Sequence, residues 1–325
     1  MQPLHDLAII LRSVPYGERH RVLTALTQRH GQISALARNS IQSRRFGGTL
    51  EPFAASEWIF TLKPGAELYS LREASIREPF EGLRKSFEKL SLASALNELM
   101  LKLAPQNEPC EELFRLHSNA LAAINEKEAI PPAASAYGDS EVILLNAYLG
   151  KLLQWSGNQP RLQSCLHCGV LLETLDPQVD LSCNVMDAGW ICPKCREQGT
   201  YYSVPENVFG MKIQISSSQK TFLEPLAPKG LSGSLYLQNH QNKSFHLSSL
   251  RVKSIALYDL HLSLYTPIRK VSSLIQASPA AHRQLFKFLE ALYVYHIPGF
   301  DQKPLKSLRF LGLESTAQHQ EVILR

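Results

Sequence analysis

Short apolar runs broken by turn residues fill the first eighty positions of the chain. They are LAIILRS (7–13), RVLTALTQ (21–28), ISALARN (33–39), AASEWIFTL (54–62) and LYSLREASI (68–76). Each is too short for an ordinary helix, and PYGERH, RHGQ and KPGAE place Gly or Pro between them. That pattern predicts five β-strands in close succession. Five short, meandering strands suggest a small barrel, and the OB type is the commonest of these that binds nucleic acid. A five-stranded sandwich, or a barrel without a ligand, fits the same periodicity.

The pattern changes from about Pro79. In GLRKSFEKLSLASALNELMLKLAP, residues Phe87, Leu90, Leu92, Leu96, Leu99 and Leu103 recur mostly at three- and four-residue steps, and Pro105 follows. This predicts an amphipathic helix. PCEELFRLHSNALAAIN and SEVILLNAYLGKLLQWSGN predict two more, and helices of this kind can bundle against the barrel. SSLRVKSIALYDLHLSLYT is helical again, as is SPAAHRQLFKFLEALYVYHI, with Ser278 as N-cap, Pro279 in the first turn and Pro298 as the stop. Between these parts lie a cysteine-bearing stretch and a tract rich in Ser, Gly, Pro and Asn, for which strands and loops fit better than helix. The expected organisation is α+β and multidomain: a barrel over 1–79, a helical domain over 80–159 and 198–325 with 198–278 unassigned, and a metal-binding insert over 160–197.

A chain of 325 residues supports two or three such units. Hydrophobic residues make up 44%, a globular proportion. No apolar run approaches the roughly 20 residues that cross a bilayer, so no membrane partner is expected. MQPLHDLAIILRS has no basic stretch before its apolar run and carries Asp6, which argues against a signal peptide.

Cysteine adds chemistry. Cys165 and Cys168 form one Cys-x-x-Cys pair and Cys192 and Cys195 another. Two such pairs let four thiolates converge tetrahedrally on one zinc at about 2.3 Å. Gly169 after the first pair and Pro193 inside the second suit the tight turns this needs. No His or carboxylate stands at ligand spacing, so the site is closed and structural. His167 is expected to be exposed, Cys183 to be a bystander and Cys110 a small packing residue.

The net charge of +5 changes meaning once it is located. From Arg12 to Arg45 there are seven Arg (12, 19, 21, 29, 38, 44, 45) and one acid, Glu18. Seven minus one is +6, so the remainder of the chain is about neutral. Arginine engages phosphate through a planar fork and stacks on bases. Arg38, Arg44 and Arg45 fall within eight positions beside Gly47 and Gly48, and together with Arg19 and Arg21 they are the candidate DNA contacts. Tyr16, Phe46 and Phe53 lie near enough in sequence to offer stacking faces. Arg12 and Arg29 fit solvated strand edges or internal salt-bridge partners better. No Walker-type phosphate loop, G-x-S-x-G, H-E-x-x-H or deaminase signature is present, which favours a binding protein over an enzyme.

Barrel, helices and an inserted pair of thiol knuckles together resemble the RecO family of bacterial recombination mediators. The resemblance rests on AIILRSVPYGERHRVLTALTQRHGQISALAR, SRRFGGTLEPF, LLQWSGNQPRLQSCLHCG, GWICPKC and YVYHIPGFDQKPLKSLRFL, and covers residues 4–197 and 279–311. Where the family shows a glycine pair before the second knuckle, this chain has Ala188 and Gly189. The resemblance implies an OB domain that binds single- and double-stranded DNA, annealing of complementary strands, and loading of RecA onto DNA coated by single-strand-binding protein. It implies RecR and the C-terminal tail of single-strand-binding protein as partners, and a cytoplasmic, nucleoid-associated location. An RNA-binding OB protein with a zinc ribbon, and a metal-dependent enzyme, remain as alternatives on the residues alone.

Overall fold

A computed structural model describes residues 2–41, 46, 48–126, 139–198, 250–298, 300 and 305–313. Five strands close a barrel: β1 (Leu4–Tyr16), β2 (His20–Thr27), β3 (Gly31–Ala37), β4 (Ala55–Thr61) and β5 (Tyr69–Glu78). Their order is β1-β2-β3-β5-β4, with β1 also paired to β4. Every pairing is antiparallel except β3 with β5. This is the OB arrangement, and the five predicted runs each fall on a strand.

The unbroken apolar run at the start of β1 has a physical reason. Ala8 and Ile10 point into the barrel with Leu23, Ile33, Trp58 and Phe60. Ile9 and Leu11 point the other way, into the core shared with the helices. A strand buried on both faces loses its alternation. Register shifts between Ile10 and Arg12, so Leu11 bulges out of the ladder. The amide of Asn97 takes up the local carbonyls, donating to Ile10 O at 3.2 Å and Leu11 O at 3.0 Å.

The helical part contains α1 (Phe87–Leu103), α2 (Glu111–Glu126) and α3 (Asp139–Trp155). The first helix starts five residues later than its periodicity predicts. Residues Glu81–Lys85 form a separate 3-10 turn, and Ser86, in extended conformation, caps α1 by accepting from Lys89 N at 3.2 Å. The predicted apolar face is also corrected at its start: Leu92, Leu96 and Leu99 are buried, but Phe87 and Leu90 are exposed. A bridge from β3 to the link after α1, with Gln32 N donating to Pro105 O at 2.8 Å, ties barrel to helices.

Next come β6 (Asp180–Asn184), β7 (Gly189–Ile191) and the short α4 (Pro193–Glu197). The third strand of this small sheet, β8 (Arg251–Lys253), arrives from much later in the chain and pairs with β6. The predicted late helices follow as α5 (Ser254–Tyr265) and α6 (Pro279–His296), the first starting later than expected because Arg251–Lys253, read as helix from the sequence, form β8. Ser278 caps α6, its Oγ accepting from Ala281 N at 3.3 Å. The core is continuous from the helix-facing side of β1 through the bundle to Cys183 and Trp190. Among the described residues no helix is long and apolar enough to cross a membrane.

Candidate metal centre and nucleic-acid interface

The two Cys-x-x-Cys turns meet at the edge of the β6–β7–β8 sheet. Gly169 closes the first at φ +75°, a left-handed conformation that glycine adopts without strain. Pro193 occupies the first turn of α4, and Cys192 caps that helix, its Sγ accepting from Cys195 N at 3.4 Å. The fully buried Trp190 aligns the knuckles: its carbonyl accepts from Leu166 N at 3.0 Å and its indole N–H donates to Leu162 O at 2.8 Å. A Cβ at Gly189 would lie 2.8 Å from Leu166 Cδ2 and 3.1 Å from Arg161 O, so a larger residue here would have to push the Leu166 side chain aside.

The sulfurs of Cys165, Cys168, Cys192 and Cys195 all lie within 4.8 Å of one another, and none is in a disulfide. Cys168 Sγ and Cys192 Sγ are 3.7 Å apart. A tetrahedron with bonds of about 2.3 Å has edges of roughly 3.8 Å, so the donor set fits one ion of that size. Cys192 N donates to Cys165 Sγ at 3.3 Å, the kind of amide that supports a thiolate. The thiols alone are poorly matched: a backbone hydrogen bond at Val170 pulls Cys168 down to about 7, while burial pushes Cys195 up to about 12 and Cys192 upward. A divalent cation would let all four ionise together. Cys183 stands outside the cluster, buried on β6 with its thiol pushed up by desolvation. Cys110 is likewise buried against the barrel, its thiol raised by burial to about 11. His167 is exposed, as expected, but its Nδ1 sits 3.5 Å from Cys195 Sγ, a contact that sequence spacing does not reveal.

At one end of the barrel, the β1–β2 hairpin meets the exit of β3. Asn39 N donates to His20 Nδ1 at 2.9 Å, and Ile41 N donates to Arg19 O at 3.3 Å. These bonds bring Arg19, Arg21 and Arg38 to the same end. Arg19 and Arg38 are exposed; Arg21 is half-buried and paired with Glu51 at 3.0 Å. Arg44 and Arg45 lie outside the described residues. Of the three aromatic candidates only Tyr16 is exposed. Phe46 packs inside the barrel with Leu50, and Phe53 packs against the helices, so neither offers a stacking face. Both are apolar residues in a polar stretch, and the two cores bury them.

An OB barrel fused to a helical bundle that carries a four-thiol knuckle defines a metal-binding OB-barrel protein. The family model for the recombination protein O N-terminal domain matches residues 1–80, and that for the recombination protein O C-terminal domain matches residues 84–206. The chain belongs to the RecO family of DNA repair and recombination proteins. It is 32% identical over 188 residues to a DNA repair protein RecO of Anaeromyxobacter sp. (strain Fw109-5), covering 58% of this chain and 68% of that one. The DNA repair protein RecO of Pelobacter propionicus is 31% identical over 201 residues, 61% of this chain and 74% of its own. That of Anaeromyxobacter dehalogenans (strain 2CP-C) is 36% identical over 162 residues, half of this chain, and the match spans 59% of the relative.

Proposed function

We propose that this chain is a non-enzymatic recombination mediator of the cytoplasm and nucleoid. It binds single- and double-stranded DNA, anneals complementary strands, and helps load RecA onto DNA coated by single-strand-binding protein. RecR and the acidic tail of single-strand-binding protein are its partners. The observation that carries this reading is the gathering of Arg19, Arg21 and Arg38 at one end of an OB barrel in a chain of the RecO family. A cationic surface lowers the barrier to pairing two polyanions, and release of their counterions drives binding without covalent chemistry. The ion at Cys165, Cys168, Cys192 and Cys195 is one zinc. With four sulfur donors its site is closed, so it holds the knuckles together and carries out no reaction.

Replacing Arg38, Arg44 and Arg45 by Ala tests the reading. The contacts are to phosphate, so affinity for single strands should fall alike for all sequences. The slope of log affinity against log salt should drop by roughly 0.7 per lost contact, about 2 in total. Strand annealing should fall in step, with the melting temperature hardly moving. Unchanged affinity and slope would place the DNA surface elsewhere.

A further inference from the structure

The two residues that break the apolar pattern of α1 mark a second surface. Phe87 is 51% exposed and Leu90, one turn on, is 37% exposed, in a helix whose other large apolar positions are largely buried. Phe87 meets Phe310, itself 39% exposed, edge to face with ring centroids 5.6 Å apart. Phe310 belongs to a 3-10 turn (Lys306–Leu311) fastened to α1 by Ser307 Oγ donating to Glu98 Oε1 at 2.9 Å. The Arg309 guanidinium carbon lies 4.6 Å from the Phe310 ring centroid. Arg84 and Lys85, just before Phe87 in sequence, and Lys306 and Arg309, on the turn that carries Phe310, are all exposed. Of the nearby acids, Glu88 accepts from Ser86 Oγ at 2.8 Å, and Glu81 is exposed.

This patch is joined to the basic end of the barrel. Arg84 Nη2 donates to Pro52 O at 3.0 Å, and Glu51, the residue before Pro52, pairs with Arg21. The path from Arg21 through Glu51, Pro52 and Arg84 to Phe87 therefore runs across the junction of barrel and helices.

We infer that single-stranded DNA leaving the barrel end continues onto this patch, with bases stacking on Phe87 and Phe310 and phosphates meeting Arg84, Lys85, Lys306 and Arg309. The inference rests on the DNA-binding reading of the barrel. Two half-exposed rings beside a planar guanidinium and further cations are the elements of a sequence-tolerant single-strand platform. The charge has the sign a phosphate backbone requires, and the surface is continuous with the barrel end. A single OB barrel covers roughly 4–16 nucleotides, so a strand longer than that needs a further surface to occupy.

The test compares an oligothymidylate of about 8 nucleotides, within reach of the barrel alone, with one of about 30. Phe87→Ala combined with Phe310→Ala should weaken binding of the long strand roughly tenfold and leave the short strand unaffected. Phe87→Tyr with Phe310→Tyr should bind like wild type, because a tyrosine ring stacks equally well. Lys306→Ala with Arg309→Ala should lower the salt slope on the long strand by about 1.4. Circular dichroism checks that each variant is folded. Equal binding of both strands by wild type and the Phe-to-Ala variant overturns this inference and leaves the barrel reading standing. A wild-type protein that binds neither strand overturns both. Loss of binding to an acidic, phenylalanine-ended peptide with DNA binding unchanged also overturns it, since the patch then serves a protein partner.

Discussion

Acidification should destabilise this protein through a histidine that never meets solvent. His117, on α2, is fully buried, and burial holds its pKa down to about 3 against an ordinary 6.5. Its hydrogen bonds fix the neutral form. Asn97 spends its amide hydrogens on Ile10 O and Leu11 O, so its Oδ1 can only accept, and His117 Nε2–H donates to it at 3.0 Å. His117 Nδ1 then accepts from the Tyr148 hydroxyl at 2.8 Å. The unfolded chain takes up a proton near pH 6.5 and the folded one does not, so this contribution is complete above pH 6.5. It is lost as pH falls from there towards 3. With these two values, going from pH 7 to pH 5 removes about 2 kcal/mol, at about 1.4 kcal/mol per unit below pH 6. Other groups titrate in the same window, so the measurement is a difference. His117→Gln can donate to Asn97 and accept from Tyr148 but cannot titrate. Urea unfolding of both proteins at pH 7, 6 and 5 should show the wild type losing about 2 kcal/mol more than the variant. Parallel pH profiles would show that His117 is not held neutral by folding.

Gly31→Ala should disrupt the junction of barrel and helices. Its Cβ would sit 2.2 Å from Glu108 O and 2.5 Å from Pro105 O at φ +64°, so we expect a loss of about 3 kcal/mol or more in urea unfolding. Ala188→Gly should raise stability by about 0.5–1 kcal/mol, because Ala188 holds φ +50° in the β6–β7 turn, a left-handed conformation that glycine adopts without strain; an unchanged or lower urea midpoint would contradict this. Cys165→Ser should reduce bound metal, measured by atomic emission, and make the knuckle segment sensitive to protease, whereas Cys183→Ser should keep the metal. Metal lost from Cys183→Ser would reassign the ligands.

The barrel was legible because each strand is a short run between turn residues, and the four-thiol cluster because paired Cys-x-x-Cys turns have few other uses. What the sequence concealed depended on distant partners. Phe46 and Phe53 looked available for stacking, since nothing local announces that the barrel and the helices will bury them. Phe87 and Leu90 keep a three-residue step to each other, but the two-residue step from Leu90 to Leu92 sets them on the helix face opposite Leu92, Leu96 and Leu99. The Asn97–His117–Tyr148 chain joins three helices to a strand bulge, and no spacing rule connects residues so far apart. The third strand of the metal-bearing sheet is only three residues long and follows the cysteines at a distance no knuckle motif includes.

That third strand imposes an order of events during synthesis. Leu181 pairs with Val252, so the sheet beneath the thiols stays two-stranded while the intervening chain is being made. Metal can reach all four sulfurs once Cys195 has emerged, well before Val252 exists. The knuckle can therefore be loaded first and serve as the template on which β8 later docks.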